Sequence, residues 1–128
     1  MRTFALWILL VTGLLAQGMF DLAPGTWTGD LQDYDYDFTL FVGPPDVKTM
    51  SFTVGDQTIK GTYRVTSAKR PKFGYFTVTE GPEMTLSGLR MAPGTDVRFS
   101  LDHTDPNALI FDLFTPDQEP VVHLELKQ

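Results

Sequence analysis

The densest group of side chains that could do chemistry is Asp33, Asp35 and Asp37, three carboxylates at alternate positions. Asp-x-Asp-x-Asp is how a calcium loop begins, and three carboxylates could also share proton-transfer work. The rest of a calcium loop is missing: Phe38 stands where glycine makes the sharp turn, and Pro44 stands where a bidentate glutamate closes the site. The aspartates alternate with Tyr34, Tyr36 and Phe38, which is the period of a β-strand. On a strand they lie ~6.6–7 Å apart along one face, which reads as a solvated outer surface.

His103 and His123 are the two histidines, with no His-x-His or His-x₃-His spacing to start a metal site. Both read as surface residues: His103 follows Asp102 and precedes a turn, and His123 shares the outward parity of Glu125 and Lys127. Ser51, Ser67, Ser87 and Ser100 have no nucleophile-elbow motif around them. Lys69-Arg70 is followed directly by Pro71 and reads as an exposed basic loop rather than a processing site. No catalytic residue, metal or cofactor is expected, and a binding protein rather than an enzyme is.

The elements that must position these residues are strands. Apolar residues alternate with polar ones, and turn chemistry recurs at short intervals. Nine candidates follow: 26–31, 33–42, 48–54, 57–66, 73–79, 84–91, 97–103, 108–115 and 121–127. Such a chain is all-β, an antiparallel meander of about eight to nine short strands, expected as a closed barrel rather than a β-sandwich. The two-residue turn Gly55-Asp56 sets Phe52 opposite Ile59 and Ser51 opposite Lys60, with Lys48 opposite Tyr63. A five-residue loop over 43–47 would set Phe38 opposite Phe52 and Leu40 opposite Met50.

The inner face of this unit is then Tyr36, Phe38, Leu40, Val42, Met50, Phe52, Val54, Ile59, Tyr63 and Val65. An eight-stranded barrel holds at most one small ligand. Tyr36, Phe38, Met50, Phe52, Ile59 and Tyr63 are the expected contacts of a small apolar molecule. Leu109-Ile110-Phe111-Asp112-Leu113-Phe114 is apolar on both parities apart from Asp112. Leu109, Ile110, Phe111 and Phe114 are therefore the candidate contacts to a protein partner, including a second copy in a homodimer.

Arg2, an apolar run from Phe4 to Ala16 and the small-x-small sequence Ala16-Gln17-Gly18 have the form of a signal peptide over 1–18, leaving one domain over 19–128. The run is shorter than the ~20 residues of a membrane span. A secreted, periplasmic or lumenal location is the expectation. Removing Arg2 leaves 9 basic residues against 16 acidic ones, a net charge of −7. That charge opposes binding to nucleic acid and to anionic lipid. Cysteine is absent, so stability must come from a hydrophobic core.

Gly25-Thr26-Trp27 opening the first strand of a meander resembles the calycin barrels, the lipocalins and avidins. The resemblance implies a barrel that holds a small apolar ligand. Gly25-Thr26-Trp27-Thr28-Gly29-Asp30-Leu31 is also similar to the avidin strand, but Gly29 replaces the ligand-binding asparagine, and Trp27 is the one tryptophan after residue 18. Biotin binding is not implied. The alternative to the ligand-binding barrel is a sandwich in which the same inner residues form a dry core and Trp27 plugs one end.

Overall fold

The computed structural model describes residues 20–31 and 36–128. The expected signal peptide over 1–18 and the Asp33 and Asp35 carboxylates lie outside the described residues. Ten strands follow one another: β1 Gly25–Leu31, β2 Tyr36–Val42, β3 Thr49–Val54, β4 Gln57–Ser67, β5 Lys72–Glu80, β6 Met84–Leu86, β7 Leu89–Met91, β8 Asp96–Asp105, β9 Ala108–Phe114 and β10 Pro120–Lys127. Eight of them close into an antiparallel barrel in the order β1-β10-β9-β8-β5-β4-β3-β2. Closure leaves no sheet edge and rules out the two-sheet sandwich. Among the described residues, no helix is long and apolar enough to cross a membrane.

The β3–β4 register is the expected one: Phe52 pairs with Ile59, Ser51 with Lys60 and Thr53 with Thr58. Tyr63 N–H donates to Lys48 C=O at 2.9 Å and extends that ladder. Gly55, at φ 61, opens the two-residue turn that sets it. The β2–β3 register departs from the expected one by two residues. Phe38 pairs with Val54 and Leu40 with Phe52. Gly43 continues the ladder by donating its N–H to Thr49 C=O at 2.9 Å, so the five-residue loop runs over 44–48 and ends on Lys48 at φ 48. A slip of two preserves side-chain parity, so the inner face survives it.

Met84 to Met91 is not one barrel strand but a separate hairpin, β6–β7. Ser87 and Gly88 both have positive φ, the conformation of a tight two-residue hairpin turn. Removing this hairpin from the meander leaves the eight barrel strands. Met84, Leu86, Leu89 and Met91 are buried in the common core. Ser87 at the hairpin tip shares a cleft of about 510 Å³ with Asp30, Leu31, Val121 and Val122. The hairpin therefore reaches across the barrel mouth from its roots on β5 and β8 to the β1–β10 seam.

The barrel interior is aromatic. Phe52 lies 4.5 Å from Phe76, 5.5 Å from Phe111 and 5.6 Å from Phe38, measured between ring centroids. Phe99 stacks on Phe111 at 5.8 Å. These five rings come from β2, β3, β5, β8 and β9, so they meet across the barrel axis. Gly61 makes room for this packing. A Cβ there would sit 2.8 Å from the Phe76 ring and 1.9 Å from Thr77 C=O.

Candidate functional site: the strapped end of the barrel

Five of the six expected ligand contacts point into the barrel: Phe38, Met50, Phe52, Ile59 and Tyr63. Phe38, Phe52 and Ile59 are 0% exposed, so no space as large as a water molecule adjoins them, whether outside the protein or within it. They touch one another and the neighbouring rings, and they fill the interior that an eight-stranded barrel provides. Tyr36 corrects the inner-face expectation: it is 55% exposed. It starts β2 beyond the Phe38–Val54 pair, and its ring lies against the Gly55 turn, where no strand covers it.

On β9, Leu109 and Phe111 are buried inside the barrel, which leaves Ile110 and Phe114 as the outward members of the expected contact strand. Phe114 is partly covered there. The Arg98 guanidinium lies 5.5 Å from its ring centroid and 4.8 Å from that of Phe73.

The polar side chains gather at the end of the barrel opposite the β6–β7 hairpin. Phe20, Asp21 and Leu22 form a strap over this mouth just before β1. Leu22 is buried, and its N–H donates to the Tyr63 hydroxyl at 3.2 Å. The Lys48 ammonium donates to the Asp21 carboxylate, and the Lys72 ammonium donates to Asp21 C=O at 2.8 Å. Lys72 shares the inward parity of Phe76 and Val78 on β5. Burial lowers its pKa from 10.5 against the opposing pull of Asp21.

Beside the strap, Trp27 and His103 meet edge to face with ring centroids 5.6 Å apart. Here the expectation for His103 is corrected: it is not a surface residue but continues the inward parity of Val97, Phe99 and Leu101. Trp27 Nε1 and both ring nitrogens of His103 are buried without a hydrogen-bond partner. Trp27 is only 1% exposed. An open cleft of about 220 Å³ adjoins His103 and is lined also by Ala68, Arg70, Lys72, Leu101 and Asp102. Arg70 donates through Nε to Asp102 and through Nη2 to His103 C=O at 3.0 Å. Its exposed basic loop thus folds back as one wall of the cleft.

A second polar row crosses the outside of β8, β9 and β10. His123 Nδ1 lies 2.6 Å from Asp112 Oδ1, and the Ser100 hydroxyl donates to Asp112 Oδ2 at 3.5 Å. The carboxylate sits between serine and histidine, so this histidine is not placed to take the serine proton as a catalytic triad requires. Among the described residues, no group of three His, Asp or Glu side chains could hold a metal ion.

The chain matches no protein-family model, no curated protein and no solved structure. The closed eight-stranded antiparallel barrel is consistent with the calycin-like fold that the Gly25-Thr26-Trp27 resemblance implies.

Proposed function

We propose that this protein is a small binding barrel, and that it holds its ligand at the strapped end rather than along the barrel axis. The observation that carries this reading is the cluster of three buried, unpartnered ring nitrogens on Trp27 and His103, next to a cleft. A buried donor or acceptor left unpaired costs ~1–3 kcal/mol, and folded proteins satisfy nearly all such groups. All three nitrogens are closed to a water-sized molecule, so a ligand offsets that cost by drawing the His103 ring round to face the space that it lines. Of the expected contacts, Tyr63 reaches this end through its hydroxyl.

The signal-peptide form of residues 1–18 supports a secreted or lumenal setting, and the Ser100-Asp112-His123 order supports binding rather than catalysis. Native mass spectrometry of the protein taken from its own compartment tests the proposal. One small molecule per chain is expected, and His103→Phe is expected to release it while the barrel stays folded. If wild type and His103→Phe are both empty, the reading is wrong.

Exposure of Phe41 on the outer face of β2 favours a protein partner as a second reading. Phe41 borders a cleft of about 310 Å³ with Thr49, Ser51 and Lys60. Phe41→Lys would then abolish association seen by sedimentation, whereas Ile110→Lys tests the β9 strand in the same way.

A further inference from the structure

Two rows of side chains on the outside of the barrel carry opposite charge and occupy opposite walls. On one wall the registers align Arg64 of β4, Tyr75 of β5, Arg98 of β8 and Phe114 of β9 directly across four strands. Cation and ring alternate along this row. The Arg64 guanidinium lies 4.7 Å from the Tyr75 ring centroid, and that of Arg98 stacks on Phe73 and Phe114. Stacking of this kind orients a guanidinium and leaves its N–H groups to acceptors beside it. Among the described residues, no carboxylate pairs with either arginine. Arg98 Nη1 donates to the Gln118 side chain. The flanking acids are engaged by other groups. Asp96 accepts from the Thr77 hydroxyl at 2.6 Å, and Asp112 lies between Ser100 and His123.

On the other wall, Asp37 of β2 and Asp30 of β1 are directly opposed on the exposed face. Exposed Glu125 of β10 shares a cleft with Asp30. Among the described residues, no cation pairs with any of the three. Like charges directly opposite each other on neighbouring strands destabilise a sheet. A cation laid between Asp30 and Asp37 from outside turns that repulsion into attraction.

The rows centre on β5 and β1, which stand four strands apart in either direction round the barrel, so one chain cannot join its own two rows. Each row sets its outer charges two strands apart, ~10 Å. We propose that the Arg64–Tyr75–Arg98 row docks the Asp37–Asp30–Glu125 wall of a second copy of this chain. The two surfaces differ and face away from each other, so the contact is heterologous. A pair formed this way leaves one free row at each end and grows into a chain of copies. The net negative charge of the protein opposes association at long range, but physiological salt screens it beyond ~8 Å, and the docked charges lie closer than that.

Sedimentation equilibrium of the protein isolated from its own compartment tests the proposal. At ~0.1 M salt the average mass is expected to rise with concentration past that of two chains. It is expected to fall back to that of one chain at ~1 M salt, where charges are screened beyond ~3 Å. Arg64→Gln with Arg98→Gln is expected to leave single chains at the lower salt. Asp30→Asn, Asp37→Asn and Glu125→Gln together are expected to do the same, and they remove a repulsion rather than a packing contact. Each variant keeps the row that the other lacks, so an equal mixture is expected to form pairs and nothing larger.

Wild type that stays a single chain at every concentration would overturn the proposal, as would a dimer that neither grows nor responds to salt. Growth that survives the exchange of the three acids would overturn it too, because loss of fold cannot imitate that result. An equal mixture that stays unassociated, with both variants unfolding as cooperatively as wild type, would do so as well.

Discussion

The two mouths of the barrel are closed in opposite ways. At one, the β6–β7 hairpin lays Met84, Leu86, Leu89 and Met91 over the core. At the other, the strap is held by Lys48, Lys72 and the Tyr63 hydroxyl, beside three ring nitrogens without partners. An apolar closure contributes stability in proportion to the area it buries, and it asks nothing of a ligand. A polar closure with unmet groups is costly when empty. The difference separates the part of this molecule that holds the fold from the part available for recognition.

The largest expected effect lies between the two mouths. Phe52→Ala removes the ring that touches Phe38, Phe76 and Phe111, and should cost ~3–5 kcal/mol in denaturant unfolding. Because that ring adjoins no cavity, ligand mass per folded chain should not change. A loss of ligand with unchanged stability would move the site back to the barrel axis. Met91→Ala, at the hairpin-closed mouth, should cost ~2–5 kcal/mol, also without effect on ligand.

At the strapped mouth the sign reverses. His103→Phe deletes two unpaired nitrogens and should stabilise the ligand-free protein by up to ~1–3 kcal/mol while abolishing binding. Equal destabilisation at both mouths would remove the contrast between them.

The smallest effect is one of pH. Burial lowers the Lys72 pKa below 10.5, so its charged form is less favoured in the folded chain than in the unfolded one. The penalty is fully present below the folded pKa and disappears as pH rises towards 10.5. Stability should therefore gain a small increment across that alkaline window. Lys72→Met should flatten this increment relative to wild type in unfolding curves collected from neutral pH upwards.

The sequence made the one-sided character of β2, β3 and β4 legible because parity is a local property. Gly55-Asp56 fixed one register outright, since a two-residue turn leaves no freedom. The neighbouring register moved by two because the left-handed conformation of Lys48 and the pairing of Gly43 have no sequence signal as clear as Asn-Gly. Ser87-Gly88 was the unread turn that separates the hairpin from the barrel strands.

His103 carried a usable signal, its parity with Val97, Phe99 and Leu101, which the adjacent Asp102 and turn outweighed. The strap carried none. Asp21, Lys48 and Lys72 are far apart in sequence, and only barrel closure brings them to one rim. Filling of the interior was likewise invisible, because the same aromatic residues line a pocket or pack a core depending on how the rings interdigitate.

The most direct test is a crystal structure of the protein isolated from its own compartment at a resolution that separates water from ligand. The account predicts ligand density in the space lined by Ala68, Leu101 and His103, with the His103 ring turned to bring a nitrogen within hydrogen-bonding distance of it and the five central phenylalanine rings unmoved. Ordered water alone at that place, or a ligand along the axis with Phe52 displaced, would contradict it.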